Sequence, residues 1–547
     1  MNFSFLWQRA RQFRGELLLI SGLTLLGSLA TLAVPWLAGQ VLGGVVEGQP
    51  QSLGNTLVLL VAALVALTVI NIVSAILSSK ASLAILHRLR REVHDHVVLM
   101  PLSFHEKRSA GDTLALMTYE VSNLSSFLAT TLANAPSMIV TAVGAVVLLF
   151  VLDPSMALVV PLLVPVFFVL MKLVGRRLRV LSKQARKAEA LVFETAERDL
   201  AMIPAIKSFA TEGHRRDNYD AVTARSRDYV YRQTRIKAFI APLVALVAAL
   251  AAIAVLVFGS SSLSQDGREP ADLFSFLLYA ALLTRPVGGL ADIYGRFQIA
   301  RGTLSRLQSV LGLPVEPGHE SGEPTERAEG AIAFEGVSFA YPGRPQVIDD
   351  LDLAIAPGEI VALTGDNGVG KSTLIKLLLR FYTPDAGRIT LDGSDIAALQ
   401  VQDLRRQFGY VPQRPLLFNG TIAENIAFGT EVDQATLSRA VELAQASDFL
   451  ARLPHGLDTE IGDHGIRLSG GQGQRIALAR ALYRDPPAFI LDEATSMYDL
   501  ESEAAFVEDC IHALSERTVI IITHRPASLA LADRVLRVTP NGIVQER

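Results

Sequence analysis

Hydrophobic and polar positions divide the chain into two blocks. Through the first 300 residues, apolar runs of twenty or more residues recur with almost no charge between their ends. Runs of that length match the thickness of a bilayer's hydrocarbon core. Six spans are expected, at 17–46, 55–79, 126–151, 156–174, 239–263 and 271–290. After residue 313 the pattern breaks into PVEPGHESGEPTERAEG, a Pro-, Gly- and Glu-rich stretch that reads as a linker. From Ala331 onward, β-branched runs (IAFEGVSFAY, EIVALTG, RITLDG, FGYVPQ, AFILDEA, RTVIIITH) alternate with helical patterns (KSTLIKLLLRFY, RIALARALYR). That alternation predicts an α/β domain around a mainly parallel sheet. The expected layout is an all-α membrane block at 1–312, a linker at 313–330 and an α/β domain at 331–547.

Charge then orients the membrane block. Residues 172–237 hold sixteen Lys and Arg and residues 80–121 hold six, whereas the three short links, near Glu47, at Asp153-Pro154 and at SQDGREP, together hold only Arg268. Basic residues stay on the cytoplasmic side during insertion, which places both termini, both long links and the α/β domain in the cytoplasm. The helical composition of the long links suggests that the membrane helices continue well beyond the bilayer. Arg9, Arg11 and Arg14 precede an apolar stretch too long for a signal peptide, so the first span is expected to remain uncleaved. With that start and no organelle presequence, a bacterial inner membrane is the expected location. A net charge of −4 gives no reason to expect nucleic acid as a partner, and the single cysteine, Cys510, excludes a disulfide within the chain.

The strongest local signal is GDNGVGKST: Gly365, Asp366, Asn367, Gly368, Val369, Gly370, Lys371, Ser372 and Thr373, after an apolar strand and before a helix. Glycines let the backbone wrap phosphates with its N–H groups inward, and the helix N-terminus adds a favourable dipole. Lys371 can reach the terminal phosphates, and Ser372 can hold Mg2+. A second apolar strand ends in Asp492 and Glu493. At such a strand tip, Asp492 can support a magnesium shell and Glu493 can polarise an attacking water.

LSGGQGQRIALARAL at 468–482, shortly before ILDEATS, gives the pattern its specificity. It resembles the signature of ATP-binding cassette (ABC) proteins, and the order of membrane block then cassette resembles half-size exporters of the type IV fold. The resemblance implies that Leu468, Ser469, Gly470, Gly471 and Gln472 close over ATP held by a partner cassette. It also implies that Tyr341 stacks on adenine and that Gln413 contacts magnesium and water. By the same resemblance Asp499 communicates across the dimer and His524 sits near the terminal phosphate. TEIGDHGIRLSGGQ, with Glu460, Gly462 and Gly465, is similar to the exporter-type segment before the signature. In the membrane block, LPLSFHEKRSAGDTLALMTYEV and AERDLAMIPAIKSFATEG are similar to the segments that form coupling helices. Met497, Tyr498 and Gly473 depart from the usual pattern without removing a catalytic atom.

The implied activity is ATP hydrolysis, with Mg2+, driving alternating access in a dimer of two copies, a heterodimer being the other option. The implied cargo is hydrophobic, amphipathic or lipid-like, and the direction is export. The other readings are an ATP-gated regulator or channel, an importer built on an exporter fold, and a soluble cassette protein; the six spans oppose the last. Arg285 is the clearest charge within a span, with Asp292 and Arg296 further toward the cytoplasm. Arg285 reads either as a contact for an anionic head group or as a snorkelling or structurally paired cation.

Overall fold

The computed structural model describes residues 11, 13–46, 50–108, 110–157, 159–266, 270–319, 321–462, 465–494, 514, 516–539 and 542–547. It divides into two compact units, one of residues 1–93 and 115–309 and one of residues 94–114 and 310–547.

The first unit is built on long helices: α1 (Arg14–Val46), α2 (Pro50–Val98), α3 (Ala133–Leu152), α4 (Val159–Ala201), α5 (Glu212–Asp266) and α6 (Pro270–Leu311). α3 continues a helical path that starts at residue 110 and includes two π-helical turns, Leu116–Glu120 and Phe127–Leu132. α5 has 55 residues, about 80 Å at the usual rise per residue, against a hydrocarbon core of about 30 Å. Such lengths carry the helices far past the bilayer. Among the described residues, the helices at Arg14–Val46, Leu53–Val98 and Gly111–Leu152 are long and apolar enough to cross a membrane, and Ala271–Leu283 is a shorter apolar stretch. The expected fourth and fifth spans fall on α4 and α5, where most side chains lie outside the described set. Parts of the links at 47–49 and 267–269 lie outside it too.

Along α2 the most apolar window has no buried residue, and Leu57, Val58, Leu59 and Val61 are each at least half exposed. Such a surface is stable only against lipid. Because lipid removes the hydrophobic drive between helices, close packing and hydroxyl bonds hold them together. Ser28 Oγ lies 2.6 Å from Ser137 Oγ, linking α1 to α3, and the buried Tyr279 hydroxyl of α6 donates to Leu32 O of α1 at 2.6 Å. A Cβ on Gly39 would stand 1.8 Å from Ser275 Oγ and 2.7 Å from Ala271 O, so only glycine admits this approach of α1 and α6. Further along the bundle, buried Glu120 accepts from Thr303 Oγ1 at 2.5 Å and pairs with Arg306 at 2.5 Å.

The second unit contains strands β1 (Ile332–Ala340), β2 (Gln346–Ile355), β3 (Ile360–Thr364), β4 (Ala386–Leu391), β5 (Ser394–Asp395), β6 (Phe408–Val411), β7 (Gly420–Thr421), β8 (Glu460–Ile461), β9 (Ala488–Asp492), β10 (Thr518–Ile522), β11 (Arg534–Thr539) and β12 (Gly542–Gln545). The main sheet runs β12-β11-β3-β10-β9-β6, parallel except for β12. All five residues of β3 and of β10 are buried, as a sheet covered on both faces requires. A second, antiparallel sheet runs β2-β1-β4-β5. It takes the segments IAFEGVSFAY and RITLDG away from the parallel sheet, and the alternating burial along β1 and β2 fits strands covered on one face. Helices α7 (Lys371–Leu378), α8 (Ile422–Ala427), α9 (Gln434–Leu443) and α10 (Gly470–Tyr483) complete the part that frames the site.

The Pro/Gly/Glu-rich stretch is laid along this unit as a strap. Arg405 forks onto Glu316 at 2.5 and 2.9 Å, and Arg380 donates to Pro317 O at 2.6 Å. Glu323 exchanges backbone bonds with Ala398 and Gln400, and Glu316 N donates to Leu99 O at 2.8 Å.

Candidate nucleotide site

The site grows from the carboxyl edge of the parallel sheet, where open α/β sheets bind ligands. β3 ends at Thr364 and the chain turns through 365–370 into α7. Gly365 has φ 132°, and a Cβ there would lie 2.4 Å from Val538 O; Gly370 caps α7 at φ 118°. Asp366, Asn367 and Gly368 are exposed on the loop, and Val369 is half-buried. Lys371 is buried, and its ammonium donates back to Gly365 O at 2.5 Å and Asp366 O at 3.0 Å. Burial pulls its pKa below the usual lysine value, opposed by the charges of Glu493, Asp366 and Asp492. Ser372 is exposed at the start of α7, and buried Thr373 shares a 3.2 Å hydrogen bond with the Tyr341 hydroxyl.

β9 delivers Asp492 and, one residue later, Glu493 to the same edge. Burial first, then the neighbouring Glu493, raises the Asp492 pKa, while the Tyr410 hydroxyl donates to it at 3.4 Å. Glu493 adopts φ 46°, a left-handed backbone that a non-glycine residue holds only when its surroundings impose it. Its N–H donates to Ile522 O at 2.9 Å, fixing it to the end of β10. Gln413, on the loop after β6, donates its side-chain amide to the Glu493 carboxylate. His524 is exposed two residues beyond β10. Gln413, Glu493, Asp492, Lys371 and His524 thus leave one sheet edge on four parallel strands.

The signature forms the N-terminus of α10. Ser469 is the N-cap: its Oγ accepts from Gln472 N at 3.3 Å, and the Gln472 side chain accepts from Ser469 N at 2.9 Å, a reciprocal capping box. Gly470 and Gly471 make the first turn, and Leu468 packs on the core beneath. Fourteen residues of helix direct their positive dipole end outward at this point. Gly473 is buried, and a Cβ there would meet Pro415 and Leu417 at 3.4–3.6 Å, ordinary contact distances, so the departure from the usual pattern faces the Gln413 loop with room for a small side chain. Gly465 has no room for a Cβ, which would lie 2.3 Å from Glu460 O. Asp499, Met497, Tyr498 and Cys510 lie outside the described residues, as do the side chains of Arg285 and Asp292.

Sequence reasoning missed Arg480. Its guanidinium donates to Asn425 O and Leu416 O, each at 2.7 Å, and to Asn425 Oδ1 at 3.3 Å, and it covers the Phe428 ring. It ties α10 to the loop after Gln413. The available signal was an arginine inside the apolar run RIALARAL.

Ser372 and Asp492 offer hard oxygen donors, with Gln413 beside them. Magnesium at nucleotide sites takes one or two such protein oxygens plus phosphate oxygens, so this donor set fits it. Among the described residues no cluster of three or more His, Cys, Asp or Glu forms a self-sufficient metal cage.

Residues 17–287 match the ABC transporter transmembrane region family and residues 348–496 match the ABC transporter family. The chain is 34% identical over 473 residues to an ATP-dependent lipid A-core flippase of Ralstonia nicotianae, covering 85% of this chain and 80% of that protein. It is 32% identical over 539 residues to mitochondrial ATP-binding cassette sub-family B member 10 of mouse, covering 96% and 75%. A bacterial Atm1-family ABC exporter solved with ATP bound superposes with TM-score 0.85 at 25% identity, covering 97% of this chain and 94% of that one.

Proposed function

The chain belongs to the ABC transporter family, a membrane region fused to an ABC ATPase, and from that premise we propose that two copies of it export an amphipathic or lipid-like molecule across a bacterial inner membrane. The protein is a multi-pass membrane ATPase that uses ATP with Mg2+ and, like half-size exporters generally, works as a dimer. The observation that carries the reading is the convergence of the phosphate loop, Asp492, Glu493, Gln413 and His524 on one sheet edge, with a capped signature helix in the same unit.

In this reading the loop 365–370 and Lys371 bind the phosphates of one ATP, and Tyr341 stacks on its adenine. Ser372 and Asp492 hold the magnesium, which neutralises phosphate charge when bound. Glu493 orients the attacking water, Gln413 positions Glu493, and His524 stabilises the terminal phosphate. The α10 N-terminus, with Ser469, Gly470 and Gly471, meets the ATP of the partner copy, and Asp499 serves the contact between copies. An isologous pairing completes two equal sites, which favours a homodimer. ATP then biases the alternating-access equilibrium through contacts that exist only in the closed dimer.

The lipid-like cargo rests on the flippase relatives and on the apolar spans, with Arg285 as the proposed contact for an anionic head group. Purified protein in proteoliposomes tests the whole reading. Labelled anionic lipid should cross leaflets only with ATP and Mg2+, and Glu493→Gln should cut steady ATPase at least about 100-fold. Steady ATPase indifferent to every lipid, with no lipid movement, would reject the cargo; ATP-triggered conductance would favour a gated channel, and ATP-driven uptake into the cytoplasmic compartment an importer.

A further inference from the structure

Glu106 lies on the short helix Leu102–Lys107, which follows α2 in the chain and belongs to the second unit. Its Oε1 accepts from Lys376 Nζ at 2.8 Å and its Oε2 accepts from the Tyr382 hydroxyl at 2.5 Å. Lys376 is on α7, and its ammonium stands 5.6 Å from the Tyr341 ring centroid and 5.8 Å from that of Tyr382. The two tyrosine rings meet edge to face at 5.1 Å, and Phe339 closes the group at 5.0 Å from Tyr341 and 5.6 Å from Tyr382. Tyr341 is also fixed to the phosphate-loop helix through Thr373. The bonds from Lys376 and Tyr382 hold the Glu106 carboxyl below the usual carboxylate range, so it is an anion at neutral pH.

Three aromatic rings and a lysine thus form a platform, and one carboxylate, some 270 residues away in the chain, satisfies both polar groups behind it. We propose that Glu106 is a positioning residue for the nucleobase: by holding Lys376 and Tyr382 against Tyr341 it sets the ring on which adenine stacks. The inference rests on the reading of Tyr341 as the base platform. Without the carboxylate the ammonium turns to water and the Tyr382 ring loses its anchor, so Tyr341 loses an edge-to-face neighbour and a cation at its face. The phosphate end, held by Lys371 and the loop amides, keeps its geometry. Base affinity and phosphate affinity therefore separate.

The test uses the full chain in nanodiscs. Glu106→Gln should raise KM for ATP about three- to tenfold with a smaller change in kcat. The inhibition constant of inorganic tripolyphosphate, which carries no base, should stay within about twofold of the parent. Lys376→Met should raise KM similarly, and the double variant should add little, because both remove one contact. Tyr341→Ala is the control: it must weaken ATP and spare tripolyphosphate, and if it does not, the platform reading falls and takes the role of Glu106 with it. If Tyr341→Ala behaves as stated but Glu106→Gln leaves KM unchanged, the positioning role alone is overturned. It is likewise overturned if Glu106→Gln weakens ATP and tripolyphosphate equally, the mark of a generally disturbed cassette.

Discussion

Replacing Arg480 by methionine keeps the length of the stem and removes a cation whose three hydrogen bonds all run to neutral oxygens. The two bonds at 2.7 Å, to Asn425 O and Leu416 O, carry most of the energy; at about 1.5 kcal/mol each, the low end for charged donors, they contribute about 3 kcal/mol. The bond at 3.3 Å to Asn425 Oδ1 is long and adds little. The guanidinium over Phe428, 4.8 Å from the ring centre, adds about 0.5 kcal/mol. Against this stands the desolvation of the cation, which lowers the Arg480 pKa together with repulsion from Arg484 and which the methionine variant escapes. With about 1 kcal/mol subtracted for that escape, the net loss is about 2–3 kcal/mol. For a domain of this size that is a fall of about 5–10 °C in the cassette's melting transition. Calorimetry of the detergent-solubilised chain reads it directly. Arg480→Lys should fall between, because an ammonium cannot fork onto two acceptors. A methionine variant melting within about 2 °C of the parent would show that the loop carbonyls rehydrate freely, and Arg480 would then be no strut.

Glu316→Ala leaves Arg405 without its carboxylate partner and should release the strap: trypsin should cleave after Arg327 at least about fivefold faster, with about 2 kcal/mol lost from the cassette. Asp492→Asn should abolish ATPase yet raise the cassette's melting temperature near pH 8. The sign follows from its raised folded-state pKa: between the unfolded and folded values the native state binds more protons, so the parent loses stability as pH rises through that window. The difference between variant and parent should therefore vanish below about pH 4, where Asp492 is protonated in both states, and a difference that persists there would refute the charge-based account. Gly39→Ala forces α1 away from Ser275 and Ala271 and should cost the membrane block about 1–3 kcal/mol, seen as earlier aggregation on heating in detergent; an unchanged profile would mean that the helices separate at no cost.

What the sequence disclosed and what it hid follow from how local each feature is. The apolar window of α2 is legible because it is long, nearly uncharged and has no buried residue, so its composition answers to lipid more than to a packed core. The phosphate loop, the acids after β9 and the capping box at Ser469 are legible because strand, turn and helix start lie within a few residues of each other. The antiparallel sheet was hidden, since alternation along β1 names a covered face without naming the partner that covers it. The strap was hidden as well: Pro, Gly and Glu suggest a loose link, but Arg380 grips it through a backbone carbonyl, which any sequence would present. Glu106 and Lys376 gave no signal, because their meaning arises only when 270 residues of intervening chain bring them together.

The functional groups themselves are already satisfied within the cassette. Lys371 bonds to Gly365 O and Asp366 O, Gln413 to Glu493, and Ser469 to Gln472. Each of these partners is one that a nucleotide, a water or a second copy must displace or share, so binding exchanges hydrogen bonds instead of creating them and its net free energy is smaller than the contact list suggests. That exchange has a functional consequence. Gln413 donates to one oxygen of the Glu493 carboxylate and leaves the other to accept from a water, so in the proposed mechanism this bond orients Glu493 and does not block it. Because Arg480 fastens the loop after Gln413 to α10, a change in the position of that loop is expected to reach the helix end proposed to face the other copy. Under the proposed mechanism, breaking the strut at Arg480 should therefore loosen the link between Gln413 and the signature helix while leaving Glu493 itself untouched.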